Sequence, residues 1–239
     1  MDSGVTLVTG ASRGIGLAIA RHLLAQGQAV VGMARSVPEG AEFPIVTADL
    51  ADARATAAGL ARVVTENRVL RLVNNAGMFL PATLDEATPQ QLDAMMAVNL
   101  RAPMQAIQAV VPGMRAAGFG RIVNIGSRAA LGKPGRMLYG ASKAALVGLT
   151  RTAALELAAD GITVNCIAPG PVETELFAAN NPPGTEARRR FTAAIPTGRM
   201  GQPEEIAHAV AGFLDTRAGY TTGQVLNICG GLTIGAAAL

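Results

Sequence analysis

TGASRGIG, residues 9–16, decides the fold of this chain, because it places three glycines directly between a predicted strand, Val5 to Thr9, and a predicted helix, Ile15 to Gln26. Glycine lets the backbone turn sharply and approach a ligand closely, and the free N–H groups at a helix N-terminus favour an anion. The stretch therefore predicts a turn that binds a pyrophosphate. Its spacing, Gly-x-x-x-Gly-x-Gly, differs from the common Gly-x-Gly-x-x-Gly, and a tight turn that binds nothing is the alternative.

The rest of the chain alternates short apolar strands with longer helical patterns. Six further strands are predicted at Ala29 to Ala34, Ile45 to Ala48, Leu70 to Asn74, Arg121 to Ile125, Ile162 to Ile167 and Gln224 to Ile228. Further helices are predicted from Pro89, with Thr88 as the N-cap, to about Ala117, from Tyr139 to Ala159, and from Pro203 to Leu214. This alternation predicts an α/β fold, a single Rossmann-like, doubly wound domain over residues 1–239 with seven parallel strands. The irregular stretch from Pro171 to Gly201 is expected to be a mobile substrate loop.

The composition suits one large globular domain and disfavours several other classes of protein. Half of the 239 residues are hydrophobic and 15% are charged, whereas aromatic residues make up only 3%. The basic residues behind the net charge of +3 are scattered, which disfavours nucleic-acid binding. No apolar run reaches the ~18 residues of a membrane span, and Met1 to Gly4 lack the basic region of a signal peptide, so we expect a cytoplasmic protein.

The cysteines and histidines do not have the spacing of a metal site. Cys166 and Cys229 lie in apolar, strand-like contexts and are interpreted as buried free thiols. His22 and His208 lie in helical patterns without acidic or cysteine partners at ligand spacing. We therefore predict no metal.

The end of the second strand indicates which dinucleotide is bound. It reads Met33-Ala34-Arg35-Ser36, without the acidic side chain that an NAD site would place there for the ribose 2′-hydroxyl. Arg35, with Arg13 of the glycine turn, could instead pair with a 2′-phosphate through charge-assisted hydrogen bonds, which favours NADP(H). The alternative is that both arginines are solvated loop residues.

Four polar residues are candidates for the chemistry. Tyr139 and Lys143 lie four residues apart on one face of a predicted helix, and the cation is expected to lower the pKa of the phenol towards neutrality. Ser127 follows an apolar strand, at the edge where open α/β sheets bind ligands, and could hold a substrate oxygen. Asn99 interrupts an apolar helical run, so it forms either a structural hydrogen bond or part of a water relay.

These residues, with Asn74-Asn75-Ala76-Gly77 after the fourth strand, make the chain resemble the classical short-chain dehydrogenases/reductases. The resemblance runs from Val5 to about Leu232. It matches the family's glycine turn at 9–16, its Asn-Asn-Ala-Gly element at 74–77, and its Asn-Ser-Tyr-Lys tetrad at Asn99, Ser127, Tyr139 and Lys143. The overall similarity is to 3-oxoacyl-[acyl-carrier-protein] reductases.

The resemblance implies a role for each matching residue. Tyr139 would donate the proton in reduction and Ser127 would orient the carbonyl. Lys143 would tune Tyr139 and bind the nicotinamide ribose, while Asn99 would hold a relay water. The implied cofactor-binding residues are Gly10, Ser12, Arg13, Gly14, Ile15, Gly16, Arg35, Asp49, Leu50, Asn75, Ala76, Gly77, Tyr139, Lys143, Pro169, Gly170, Val172 and Thr174. The resemblance also implies the strand order 3-2-1-4-5-6-7 and a homotetramer, with contacts through the helices near Thr88 and Tyr139 and the tail from Leu232 to Leu239.

Three features depart from the family's pattern. Ser127 and Tyr139 are twelve residues apart, one fewer than expected, so the loop from Arg128 to Leu138 at the substrate is expected to be reshaped. Ser36 to Glu42 is too short for the helix that often joins the second and third strands. Cys229 stands where a polar residue is frequent.

The leading hypothesis is an NADP-dependent carbonyl reductase or alcohol dehydrogenase. A 3-oxoacyl thioester is the first substrate hypothesis, and a small ketone, sugar, polyol or steroid is the alternative. A catalytically silent dinucleotide-binding regulatory protein would not need all four tetrad residues, and a methyltransferase would leave Tyr139 and Lys143 unexplained. The run from Arg188 to Arg190 could attract an acidic substrate or an acyl-carrier protein, or it could be a solvated helix face.

Overall fold

The computed structural model describes residues 4–182 and 184–234. Seven parallel strands form one sheet in the order β3-β2-β1-β4-β5-β6-β7. The strands are β1 Val5–Thr9, β2 Val30–Ala34, β3 Ile45–Thr47, β4 Val69–Asn74, β5 Gly120–Ile125, β6 Ile162–Pro169 and β7 Val225–Ile228. The predicted fold class and strand order are therefore confirmed.

Helices cover both faces of this sheet. They are α1 Gly14–Ala25, α2 Ala53–Glu66, α3 Pro89–Met96, α4 Ala102–Ala117, α5 Met137–Leu157, α6 Glu175–Asn180, α7 Glu186–Ala193 and α8 Pro203–Leu214. Because successive side chains of a strand point to opposite faces, Leu7 packs in the core beneath α2, α4 and α5, whereas Val8 packs in the core beneath α1 and α8. Burial on both faces explains why the strands are continuously apolar in sequence.

Three helical segments differ from the sequence prediction. Helix α2 was not predicted, because small or polar residues such as Thr56 and Gly59 share its buried face with Leu60 and Val63 and weaken the apolar period. The helix predicted from Pro89 to Ala117 is interrupted by a π-helical turn, Ala97–Arg101, between α3 and α4. The segment predicted as a mobile loop contains α6 and α7, and Thr174 and Thr185 cap their N-termini.

The topology leaves a crevice at the carboxyl ends of the strands. β1 is flanked by β2 on one side and β4 on the other, so the connections that follow them diverge at this point. The connection from β2 to β3 holds only bends and turns, as its short length predicts. Over the described part of the chain, no helix combines the length and apolarity needed to cross a membrane.

Candidate active site

A cavity of about 1220 Å³ lies at the carboxyl ends of the strands. Residues that follow six of the seven strands reach its wall, so the topology alone brings them together. The predicted site residues on the wall are Gly10, Ser12, Arg13, Gly14, Ile15, Arg35, Asp49, Leu50, Asn75, Ala76, Gly77, Ser127, Tyr139, Lys143, Pro169, Gly170, Val172 and Thr174. Two predicted residues, Gly16 and Asn99, lie behind it.

The glycine turn is shaped to hold an anion. Gly10 and Gly14 adopt positive φ angles of 67° and 54°, which other residues rarely reach. Arg13, at the N-cap of α1, makes no side-chain capping bond, and the first turn has no acidic residue, so the N–H groups of that turn face the cavity without a competing side chain. These residues fit the pyrophosphate of a dinucleotide.

Gly16 allows close packing within this turn. A Cβ atom at Gly16 would lie 2.2 Å from the carbonyl oxygen of Gly10 and 2.4 Å from Nδ2 of Asn75. Gly16 is not among the residues that line the cavity, and its contact with the cofactor stays a prediction. The absence of a side chain at Gly16 lets α1 start close against the turn.

Asn75 and Thr9 fix the glycine turn to the end of β4. Nδ2 of Asn75 donates to the carbonyl oxygens of Thr9 at 3.0 Å and Gly10 at 3.2 Å. Oγ1 of Thr9 accepts from the backbone N–H groups of Asn75 and Ala76 at 3.0 and 3.1 Å. Thr9 was not singled out from the sequence as a site residue, although its place as the last residue of β1 was the available signal.

The end of β2 carries the features expected for a 2′-phosphate. Arg13 and Arg35 are both exposed on the cavity wall, and neither forms an ion pair with a described carboxylate. Asp49 follows β3, and its Oδ1 accepts from the N–H of Ala51 at 2.9 Å. These two arginines and the lack of an acid directly after β2 fit NADP(H).

Tyr139 lies at the start of α5, with its ring edge-on to Phe79 at 5.2 Å between centroids. Burial raises the pKa of Tyr139, and this effect outweighs a hydrogen bond with Ser127 and the nearby charge of Arg136, which both lower it. The expectation that the pKa of Tyr139 is lowered by Lys143 is wrong: the pKa is raised, and Lys143, with its Nζ 5.9 Å from the ring centroid, is not among the groups that shift it.

Lys143 is buried one helical turn after Tyr139. Its Nζ donates to the carbonyl oxygen of Ile125, at the end of β5, at 2.8 Å. Burial lowers the pKa of Lys143 to about 8, since the charged amine loses its hydration. A Cβ atom at Gly77 would lie 3.5 Å from this amine, so the Asn-Asn-Ala-Gly element passes directly over it.

Asn99 lies in the π-helical turn and uses its side chain for structural hydrogen bonds. Its Oδ1 accepts from the N–H of Met78 at 2.8 Å, and its Nδ2 donates to the carbonyl of Met78 and to Oγ of Ser142, both at 2.9 Å. Ser142 in turn donates to the carbonyl of Tyr139 at 2.8 Å. Of the two interpretations offered by the sequence, the structural bond describes this side chain, and its part in a water relay stays a prediction. Ser142, which had no role assigned from the sequence, completes the link to α5.

Several wall residues on the other side of Tyr139 were not predicted. They are aromatic or cationic: Phe79, Arg128, Lys133, Arg136, Phe177 and Phe191. Five of them lie in the two segments that the sequence placed at the substrate, 128–138 and 171–201, whereas Phe79 follows β4; no sequence pattern singles out these six side chains.

The remaining candidates have structural explanations. Cys166 and Cys229 are buried free thiols, as predicted. Cys229 lies directly behind Gly170, where an added Cβ atom would come within 2.8 Å of its Cα. His22 of α1 and His208 of α8 meet edge to face at 6.1 Å. The described ranges contain no group of three or more His, Cys, Asp or Glu residues arranged to hold a metal ion.

Comparison with known proteins points to one family. A family model described as Enoyl-(Acyl carrier protein) reductase matches residues 10–233. The chain is 39% identical to the acetoacetyl-CoA reductase of Rhizobium meliloti, with 96% of this chain and 98% of that protein covered. It is 37% identical to the 3-oxoacyl-[acyl-carrier-protein] reductase FabG of Vibrio cholerae, with 97% and 98% covered.

Solved structures with a similar fold include proteins that bind or use NADPH. A blue fluorescent protein from a metagenomic library, in complex with NADPH, superposes with a TM-score of 0.84 at 36% identity, over 96% of this chain and 98% of that one. YwfH, an NADPH-dependent reductase involved in bacilysin biosynthesis, superposes with a TM-score of 0.90 at 27% identity, over 98% and 100%.

Proposed function

Since this chain belongs to the short-chain dehydrogenase/reductase family, we propose that it reduces the 3-oxo group of an acyl thioester. The class of reaction is that of the family: the chain is an NADP-dependent oxidoreductase acting on carbonyl or hydroxyl groups. The two named relatives that act on 3-oxoacyl thioesters match nearly the whole chain, which supports this substrate. An acyl-carrier protein or coenzyme A would then carry the acyl group.

One observation carries the proposal. Tyr139, Ser127 and Lys143 come together on the wall of the same cavity that holds the glycine turn and the two arginines beside it. A carbonyl oxygen between Ser127 and Tyr139 would accept hydrogen bonds from both hydroxyls. A silent binding protein would have no need for a phenol and a hydroxyl on the same wall as this amine.

The mechanism follows from the state of each side chain. NADPH, when bound, supplies the hydride that reaches the carbonyl carbon. Because burial raises the pKa of Tyr139, the phenol keeps its proton at neutral pH and can give it to the carbonyl oxygen as the alcohol forms. Ser127 orients that oxygen, while Lys143, fixed to Ile125, places a cation beneath Gly77 where the nicotinamide ribose would lie. Asn99 positions this arrangement through Met78 and Ser142.

Other expectations, drawn from the sequence pattern or from the family resemblance, stay predictions. They are the homotetramer, the cytoplasmic location, the acyl-carrier protein as a partner, the single domain over residues 1–239, and the substrate loop at 171–201. Residues 235–239 of the apolar tail, an expected tetramer contact, lie outside the described residues.

The test is a carbonyl panel that includes 3-oxoacyl thioesters, small ketones, sugars and steroids, followed by the loss of NADPH absorbance. We expect the highest kcat/KM for a 3-oxoacyl thioester. A clearly higher value for a ketone, sugar or steroid would replace the thioester as substrate. No turnover across the panel, with NADPH still bound, would favour the silent regulatory protein.

Cofactor preference tests the 2′-phosphate site separately. We expect Arg35→Gln to weaken NADPH binding by about 10- to 100-fold while NADH binding stays nearly unchanged, because only NADPH offers the phosphate that pairs with the guanidinium. Fluorescence titration of each dinucleotide measures both constants. Arg62→Gln, an exposed arginine paired with Glu66 on α2, is the matched control and should change neither. Equal loss for both dinucleotides would contradict the assignment of Arg35.

A further inference from the structure

The substrate side of the cavity carries a concentration of positive charge that the reaction itself does not require. Arg128, Lys133 and Arg136 all lie on its wall, in the loop between Ser127 and Tyr139, and we refer to these three side chains as the cationic wall. Each is half-buried, so the charges are partly removed from water. They are close enough for Arg128 and Arg136 to lower the pKa of Lys133 by repulsion, in addition to its burial.

Arg136 is the member of the cationic wall that lies nearest the chemistry. Its guanidinium carbon lies 3.7 Å from the centroid of the Phe79 ring, and the same ring meets Tyr139 edge-on. Arg136 is the N-cap residue of α5, and its backbone forms an isolated β-bridge with Ala82. The stacked guanidinium therefore has a defined place beside the phenol, and its N–H groups have no hydrogen-bond partner among the described residues.

No carboxylate of the described chain neutralises these charges. The acidic residues on the cavity wall, Glu39, Glu42, Asp49 and Glu175, do not pair with any of the three cations. Lys133 instead points at the ring of Phe191, at 4.7 Å. Partial burial of three like charges without a counterion is unfavourable. An anionic ligand that supplies the counterion would therefore gain binding free energy from pairing with them.

The arginine run on α7 behaves differently. Arg188 pairs with Glu173, and both Arg189 and Arg190 pair with Glu186. These were the arginines that the sequence offered for an acidic substrate. Each of these arginines has a carboxylate partner, although Arg189 and Arg190 share one, whereas no described carboxylate pairs with the cationic wall.

We propose that the carbonyl substrate carries an anionic group, a carboxylate or a phosphate, that Arg136 binds beside Tyr139. Lys133 and Arg128 extend the positive surface from Arg136 and favour entry of the anion. The inference rests on the proposed function for the position of the carbonyl at Tyr139. It adds that charge on the substrate, and not only the length of an acyl chain, determines which carbonyl compound is accepted.

The test uses two pairs of compounds that differ in charge. Acetoacetate and its methyl ester differ by the charge of a carboxylate, and the acetoacetyl thioesters of 4′-phosphopantetheine and of pantetheine differ by one phosphate. Binding of each compound to protein saturated with NADP⁺ is measured by calorimetry, and kcat/KM by the consumption of NADPH. The variants are Arg136→Gln, Arg136→Lys, and Arg190→Gln as a control that removes the same charge from the exposed face of α7.

We expect one anionic compound to bind at least about 10-fold more tightly than its neutral partner, and Arg136→Gln to remove that preference. The pair that shows the preference identifies the anion as carboxylate or phosphate. Arg136→Lys should keep part of the preference and Arg190→Gln all of it. Thermal melting checks that each variant is folded.

Two results would overturn the inference. One is that neither anionic compound binds more tightly than its neutral partner. The other is that Arg136→Gln weakens charged and neutral compounds equally, which would make Arg136 a positioning residue for Phe79 and Tyr139. Failure of the proposed function has a separate signature, namely that none of the four compounds consumes NADPH, whatever the binding data show.

Discussion

The two halves of the cavity are built by different means. The cofactor half, residues 9–16 and 74–77, consists of backbone and short side chains fixed by hydrogen bonds such as those of Asn75 to the glycine turn. The other half presents aromatic rings and long cations on the cavity wall, namely Phe79, Arg128, Lys133, Arg136, Phe177 and Phe191. The three cationic side chains form no hydrogen bond to another described residue, and Arg136 and Lys133 lie over aromatic rings instead. We call it the substrate half, because the proposed substrate would lie there. The main chain therefore sets the shape of the cofactor half, and side chains set the shape of the substrate half. Substitutions in the substrate half can thus alter which substrate fits without changing the fold.

Tyr139 stands where the two halves meet, and its removal has the largest expected effect. Tyr139→Phe keeps the ring against Phe79 but lacks the proton donor, so we expect kcat to fall by about 10²- to 10⁴-fold while NADPH affinity stays nearly constant. Steady-state reduction of an accepted substrate and NADPH titration measure the two quantities. A variant that retains most of its rate would remove Tyr139 from the mechanism.

Gly16→Ala tests the cofactor half alone. Its methyl group would meet the backbone of Gly10, which is unable to move without displacing the turn, so we expect a loss of about 1–3 kcal/mol in the free energy of unfolding and weaker NADPH binding. Urea unfolding and dinucleotide titration measure these effects.

The control for Gly16→Ala is a glycine with open space around it. Gly113 is exposed on α4, and a methyl group added there would have no neighbour within 4 Å, so Gly113→Ala should stabilise the protein by about 0.5–1 kcal/mol. If both variants changed the free energy of unfolding by the same amount, the glycine turn would be less tightly packed than the distances around Gly16 indicate.

Lys143 is buried between the two halves and gives an effect that appears only at alkaline pH. Its pKa is about 8 in the folded chain and higher when unfolded, so the unfolded chain binds more protons between these values. The free energy of unfolding of the wild type, relative to Lys143→Met, should therefore rise with pH above about 8, by up to about 1.4 kcal/mol per pH unit. Urea unfolding of both proteins at several pH values measures this difference. A difference that is constant, or that falls, from about pH 8 to about pH 10 would contradict a buried amine with a lowered pKa.

Local patterns in the sequence were sufficient to predict the sheet, the glycine turn and the residues that the strand ends bring to the cavity wall. Apolar strands buried on both faces, and glycines between β1 and α1, leave strong local patterns, and parallel strands necessarily bring the residues that follow them to one edge. Arg13, Arg35 and Tyr139 could thus be placed on one cavity before their contacts were known.

The burial and the contacts of those residues depend instead on packing between distant parts of the chain. Gly16 and Asn99 share motifs with cofactor-contacting residues, yet packing places both behind the wall. The pKa of Tyr139 is raised rather than lowered, because burial depends on all the elements around it and the spacing of Lys143 does not report it. The cationic wall and the pairing of the α7 arginines arise from contacts between distant segments, such as Arg136 with Phe79 and Arg188 with Glu173, which no local pattern encodes.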